Sequence, residues 1–191
     1  MGITIKSIEL IEKAIQLTQP KRVLELGAQH LYDRSYGGEA PYANRWYQKR
    51  GLSYTCIDLS GENQSLKIDL EKPVNPDALF DLVTDFGTGE HVRNAYNVFK
   101  TLHDYVIPGG VIIRQNPKTG NWPLHGFWYA TEAMYIKLAE IQGYEIIDIG
   151  EDAAMGNVTD GWNVYCLYKK SGNAPFMSKA KFSSNIKPPI T

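Results

Sequence analysis

The sequence predicts an α/β fold: a doubly wound, mostly parallel seven-stranded sheet with an antiparallel hairpin at one edge. Three observations predict it. From Arg22 to about Gln115, short apolar runs alternate with segments whose apolar residues recur at helical spacing, the pattern of a parallel sheet covered on both faces. Several of these runs end in glycine or an acid, as in "RVLELG", "YTCID", "LKID" and "FDLVTDFG". The last two runs, "YEIIDIG" and "WNVYCLYKK", follow one another with no helical segment between them, which makes the edge hairpin.

The elements follow in order. Ile8, Ile11, Ile15 and Thr18 share one helical face, Ser7 is placed as its cap, and Pro20 closes it. A buried strand over 23–26 runs into Gly27, and after the loop a helix over about 40–50 ends at Gly51. A second strand over 54–57 stops at Asp58, "SLKIDL" gives a short third, and a fourth covers 80–84. A helix over about 90–106 and the turn "IPGG" lead to a fifth strand over 111–115. The loop "NPKTGNWPLHG" then enters a helix over about 128–142, ended by Gly143 before the hairpin. Residues 1–170 read as a single domain. Residues 171–191, with prolines, lysines and no periodicity, read as a flexible or surface-packed tail.

Composition narrows the function. With 43% hydrophobic and 21% charged residues over 191 positions, a full core can be buried. A formal charge of -1 with scattered lysines and arginines gives no reason to expect a polyanionic partner such as nucleic acid. No apolar run approaches the ~18 residues of a membrane span, and "MGITIKSIELIEK" lacks the form of a signal peptide. Cys56 and Cys166 sit in apolar runs and read as reduced core residues. The expectation is a cytoplasmic protein with a small-molecule substrate and no nucleic acid or membrane partner.

Ligands of such sheets lie beyond the carboxyl ends of the strands, so Gly27, Asp58, Asp69 and Asp85, each at or just past a strand end, should converge. A glycine at position 27 admits close approach to the backbone, or simply makes a turn. Asp58 is placed to accept a ribose's hydroxyls, or to cap a turn. Gln29 and Leu31 stand where a second and third glycine would fall in a dinucleotide loop. A pyrophosphate needs those bare amides, which disfavours a nicotinamide-dependent oxidoreductase.

Taken together, "VLELGA", "CIDLSG", "LKIDLE", "FDLVTDFGTGEHV" and "LHDYVIPGGVIIRQNP", in this order, resemble the class I S-adenosylmethionine-dependent methyltransferases of the small-molecule branch. The resemblance covers Arg22 to Gln115, and the strand plan extends it to about Lys169. It implies a Rossmann-like methyltransferase fold, with Glu25, Gly27 and Ala28 under the methionine part of S-adenosylmethionine. It implies Asp58 on the ribose and Leu59 on the adenine. Asp69 and the backbone of Leu70 fall on the adenine amino group, and Asp85 and Phe86 near the transferable methyl. That cofactor has no phosphate, so one close approach at Gly27 can suffice, with Gly37, Gly38 and Arg34 offered to its carboxylate.

An acceptor that must lose a proton needs a base. His125, in the aromatic loop "NWPLHGFWY", and His91, in "GEHV", are the candidates, with Asp85 beside them as a third catalytic candidate. His30 and His103 read as loop and helix residues. No histidine-rich or cysteine-pair spacing suggests a metal. The expected function is methyl transfer to a small molecule. The alternative is a non-catalytic adenosyl-cofactor-binding or interaction module of the same fold.

Overall fold

The computed structural model describes residues 2–32, 41–153 and 161–189, and among these lie nine strands and five α-helices. The strands are β1 (Gly2–Ile3), β2 (Arg22–Leu26), β3 (His30–Leu31), β4 (Ser53–Asp58), β5 (Leu66–Lys67), β6 (Phe80–Phe86), β7 (Val106–Pro117), β8 (Tyr144–Ala153) and β9 (Trp162–Lys170). The helices are α1 (Ile5–Thr18), α2 (Asn44–Gln48), α3 (Ala95–Tyr105), α4 (Glu132–Gln142) and α5 (Lys179–Asn185). Seven strands form one sheet in the order β5-β4-β2-β6-β7-β9-β8. The first five are mutually parallel, and β9 runs antiparallel to both β7 and β8. The expected parallel sheet with an antiparallel edge is therefore present.

Side chains alternate across a strand, so the strands feed two cores. Leu24, Leu26, Val83 and Ile112 face α3, α4 and α5, while Val23, Leu82, Val111 and Ile113 face α1 and α2. Each is at most 2% exposed, and burying such a side chain stabilises by roughly 1.5–3 kcal/mol. Cys56 and Cys166 are unbridged and buried. Burial pushes their thiols up to about 11 and about 12, which leaves them unreactive near neutral pH. No helix of the described residues is long and apolar enough to cross a membrane.

Several boundaries differ from the sequence expectation for physical reasons. The first helix starts at Ile5, because Thr4 is its cap. Thr4 and Ser7 exchange side-chain-to-backbone bonds as a capping box. The helix expected from residue 90 begins at Ala95, after a separate single turn, Gly89–His91. The Glu71 carboxylate accepts from the backbone of Arg93 and Asn94 at 2.6 and 3.0 Å and holds that entry. The helix expected from residue 128 begins at Glu132, capped by Thr131. Trp128, Tyr129 and Ala130 are instead buried in extended backbone that bonds to Pro117 and Thr119.

β7 absorbs "IPGG" rather than turning there, with an irregular register between Phe80 and Leu82 on its neighbour. Residues 173–189 lie against α3 and α4: Phe176, Met177, Phe182 and Ile186 join their core. The short parallel pair β1–β3 places Gly2 and Tyr32 on the same cavity as Phe86 and Gly87, at the carboxyl end of β6.

Candidate functional site

The strand order reverses between β2 and β6, so the crevice expected of this architecture opens at their carboxyl ends. Gly27 leaves β2 with φ +83° and donates its N–H to the Ile57 carbonyl at 2.7 Å. Ala28 N–H then reaches Asp58 Oδ2 at 2.9 Å, while Ser60 N–H and Oγ donate to Oδ1, both at 2.7 Å. Burial opposes ionisation of Asp58, but these three bonds outweigh it and hold its pKa below the ordinary carboxylate value. Leu59, 65% exposed, stands beside it. β5 pairs Lys67 with Asp58, which carries Asp69 to the same rim. Asp69 accepts from Glu71 N–H and meets Lys72, and both lower its pKa. Leu70 is buried under it.

Side chains of this protein make the close approach to Gly27. A Cβ there would lie 2.2 Å from Thr88 Oγ1 and 2.6 Å from Gln29 Nε2. Both groups donate to the Leu26 carbonyl, at 2.8 and 3.1 Å. Gln29 is 2% exposed and thus fills the space a second glycine would leave. Its Oε1 is buried and has no hydrogen-bond partner among the described residues. Arg34, Gly37 and Gly38 lie outside the described residues.

Glu25 sits beneath this turn rather than on it. It is fully buried in β2, accepting from Tyr54 Oη at 2.6 Å and Tyr47 Oη at 3.2 Å. Burial outweighs both bonds and pushes its carboxyl up to about 8. Asp85 is likewise fully buried. Its Oδ1 accepts from Thr88 and Gly89 N–H, and its Oδ2 takes Arg114 Nη2 at 2.7 Å, Arg114 Nε at 3.2 Å and Asn116 Nδ2 at 3.2 Å. The Arg114 guanidinium stacks on Phe99, 3.7 Å from the ring centroid. With its oxygens held this way, Asp85 shapes the turn 86–89 and has no free face toward a ligand.

That turn forms one wall of a cavity of about 330 Å³. Phe86, Tyr32, Pro117 and Trp122 make it largely apolar, and Glu90, Gln115, His125 and Asn163 bring polar groups into it. Gly87 lines the cavity and the next residue, Thr88, covers Gly27, so one peptide separates the two regions. Glu90 is fully buried. Its Oε2 accepts from Asn116 Nδ2 at 2.9 Å, and Asn116 Oδ1 accepts from Tyr135 Oη. Its Oε1 has no hydrogen-bond partner among the described residues, and His125 Nε2 and His91 Nε2 face it from 3.6 and 3.8 Å. His91 is on the exposed side of Glu90, and burial lowers its pKa more than the carboxylate raises it.

The structure thus brings Gly27, Ala28, Asp58, Leu59 and Asp69 to one rim and Phe86 and His125 to the neighbouring cavity, with His91 behind Glu90 on its exposed side. Glu25, Leu70 and Asp85 are interior. His103 is a core residue between Tyr144 Oη and the Ala174 carbonyl. Glu90, Asn116, Arg114, Thr88 and Tyr135 escaped the sequence reading. "GEHV" displayed Glu90 next to His91, but nothing in the spacing shows that Glu90 turns inward to meet residue 125.

This strand order and rim can be compared with known structures. A 1,6-didemethyltoxoflavin-N1-methyltransferase from Burkholderia thailandensis, solved with its substrate and S-adenosylhomocysteine, superposes with a TM-score of 0.59 at 15% identity, over 85% of this chain and 78% of that one. The fold is that of the Rossmann-like methyltransferases. The N-methyltransferase NodS from Bradyrhizobium japonicum WM9, in complex with S-adenosylhomocysteine, gives 0.55 at 11% identity over 88% and 89% of the two chains. The same methyltransferase fold carries the [4+2]-cyclase SpnF, at 0.59 and 12% identity over 87% and 82%. No family model and no curated protein sequence matches the chain.

Proposed function

We propose that this chain is an S-adenosylmethionine-dependent methyltransferase acting on a small molecule. The observation that carries this reading is the apolar cavity beside the carboxyl ends of β6 and β7, one peptide from the Gly27–Asp58 turn. A cofactor at one region and an acceptor in the other would meet near Gly87. Two structures of the same fold hold S-adenosylhomocysteine, the demethylated form of that cofactor.

The residues present fit the cofactor. Asp58 is kept ionised at the strand end, where ribose hydroxyls would donate to it, and Leu59 offers an apolar face to an adenine. Gln29 Oε1, without a hydrogen-bond partner among the described residues, belongs to the side chain whose Nε2 lies over Gly27, and it suits the ammonium of a methionine moiety. When bound, the cofactor supplies a methyl group already activated on a sulfonium, so the protein's main task is alignment. Phe86, Trp122 and Pro117 would hold a planar apolar acceptor against that methyl and exclude water. Glu90 and His125 are the polar groups at hand for an acceptor's hydroxyl or amine.

A second reading, a non-catalytic module of the fold, has its own observation: Thr88 and Gln29 lie on Gly27 and use the Leu26 carbonyl themselves. Thermal unfolding with S-adenosylmethionine, S-adenosylhomocysteine and NAD tests the cofactor that the first reading requires, and conversion of bound S-adenosylmethionine to S-adenosylhomocysteine separates that reading from a module that only binds. Ligand at a hundredfold excess over its Kd stabilises by about 2.7 kcal/mol. The methyltransferase reading requires that shift with both adenosyl compounds and none with NAD. No shift with either at millimolar concentration refutes it.

A further inference from the structure

The geometry points to a divalent metal site at Glu90, His91 and His125. The three donor atoms lie within 4.8 Å of one another. Two imidazole nitrogens face one carboxylate oxygen at 3.6 and 3.8 Å, beyond hydrogen-bond length. That oxygen is fully buried and otherwise unpartnered among the described residues. A buried oxygen with no donor calls for an explanation, and a shared cation explains both its lack of a donor and the spacing. Donors bound tetrahedrally at ~2.0–2.2 Å lie about 3.4 Å apart, so each imidazole must close by a few tenths of an ångström on the carboxylate oxygen, and the two nitrogens, within 4.8 Å of one another, by up to about 1.4 Å toward each other. Both have partly exposed side chains and can do so.

The surroundings hold the set in place. Glu90 Oε2 is fixed by Asn116, itself fixed by Tyr135, the kind of outer partner that orients a ligating carboxylate. The backbone of the second histidine's loop is pinned onto Glu90. Phe127 N–H donates to the Glu90 carbonyl at 2.8 Å, and a Cβ at Gly126 would lie 2.9 Å from Glu90 Cγ. His125 N–H is further held by Tyr129 Oη at 3.1 Å.

Two imidazoles and one carboxylate select a first-row transition ion such as Zn²⁺, Mn²⁺ or Fe²⁺ and leave coordination positions open. Glu90 and His125 also line the cavity, so the open positions face it, and the ligand class that fits is an oxygen donor such as a phenolic or enolic hydroxyl. Coordination lowers a hydroxyl's pKa. This use of the ion rests on the methyltransferase reading. The hydroxyl proton leaves to water and the oxygen takes the methyl as the sulfonium carbon–sulfur bond breaks. The ion site itself rests only on the three residues.

The test uses tag-free full-length protein, stripped with chelator and titrated with Co²⁺ by visible absorption and with Zn²⁺ by calorimetry. Expected are one ion per chain with a Kd of about 10 μM or tighter and the intense d–d bands of four- or five-coordinate Co²⁺. His91→Ala and His125→Ala should each weaken binding by roughly 10–100-fold, and His30→Ala should leave it unchanged. No saturable binding by about 100 μM, or wild-type affinity in both site variants, overturns the site. S-adenosylhomocysteine titrated into the same samples reports separately. Its failure to bind sinks the methyltransferase reading while a positive ion result stands, and the reverse pattern sinks only the ion site.

Discussion

Asp85 is the acid that a strand-end reading puts at the reacting methyl, yet its burial and partners make it a foundation. The most informative perturbation is Asp85→Asn. The asparagine Oδ1 can still accept from Thr88 and Gly89 N–H, so the turn keeps its anchor. Its amide nitrogen, however, then faces the Arg114 Nη2, Arg114 Nε and Asn116 Nδ2 donors that Oδ2 now satisfies. Arg114 is 1% exposed and has no other carboxylate partner among the described residues, so its charge is left buried and uncompensated.

Removing one partner of a buried pair costs about 3–5 kcal/mol. At ~2.1 cal/mol/K per residue the whole chain unfolds with an entropy of about 0.4 kcal/mol/K, so Tm should fall by roughly 8–12 °C. Adding Arg114→Met removes the orphaned charge and keeps much of the packing on Phe99 and Trp128. The double variant should recover more than half of the loss. Calorimetry at fixed pH on the wild type, both single variants and the double closes the cycle. A loss under 3 °C for Asp85→Asn, or strict additivity of the two changes, would refute the reasoning.

The remaining predictions concern the core, the tail and the Gly27 turn. His103 accepts from Tyr144 Oη through Nδ1 and donates to the Ala174 carbonyl through Nε2. Burial first, then the Lys170 ammonium, lowers its pKa to about 4. The unfolded chain therefore binds the extra proton between about pH 6.5 and 4, and the stability present above 6.5 is lost as pH falls through that window. The shift bounds this loss at about 3 kcal/mol, and screening near the surface reduces it to about 2. Denaturant melts of wild type and His103→Gln across pH 4–7 should show a slope that the variant lacks. Phe182→Ala, removing a ring 3% exposed against Phe99 and Tyr96, should cost about 3–5 kcal/mol in the same melts, whereas a loosely attached tail would cost nothing. Thr88→Ala removes one of the two donors on the Leu26 carbonyl and the nearer of the two groups over Gly27, and by the worth of one hydrogen bond should tighten S-adenosylhomocysteine binding about fivefold. Weaker binding by calorimetry would show that Thr88 holds the ligand rather than its place.

The sheet and its hairpin were legible because each strand carries its own evidence. Apolar runs such as "VLEL" and "VIIR" need no partner to be recognised, and Gly27 and Asp58 mark their ends. Their convergence on one rim follows from parallel topology alone. Helix starts were less legible. Thr4 and Ser7 are both good caps, and only the capping box decides between them. Side-chain direction was not legible at all. Asp85 and Glu90 look alike in sequence to exposed site acids. Their inward turn depends on Arg114 and Asn116, which come from β7, 26–31 residues away. Gln29 looked like a lost glycine, whereas it and Thr88 fill the space over the one glycine that remains.

The account's central claim is that the Gly27–Asp58 turn binds an adenosyl cofactor, and titration of S-adenosylhomocysteine into wild type and Asp58→Ala by calorimetry tests it most directly. The claim predicts one ligand per chain for the wild type. It also predicts roughly 10–150-fold weaker binding in the variant, from losing charge-assisted hydrogen bonds of about 1.5–3 kcal/mol. Absence of heat at millimolar ligand, or equal affinity in the two proteins, would contradict it.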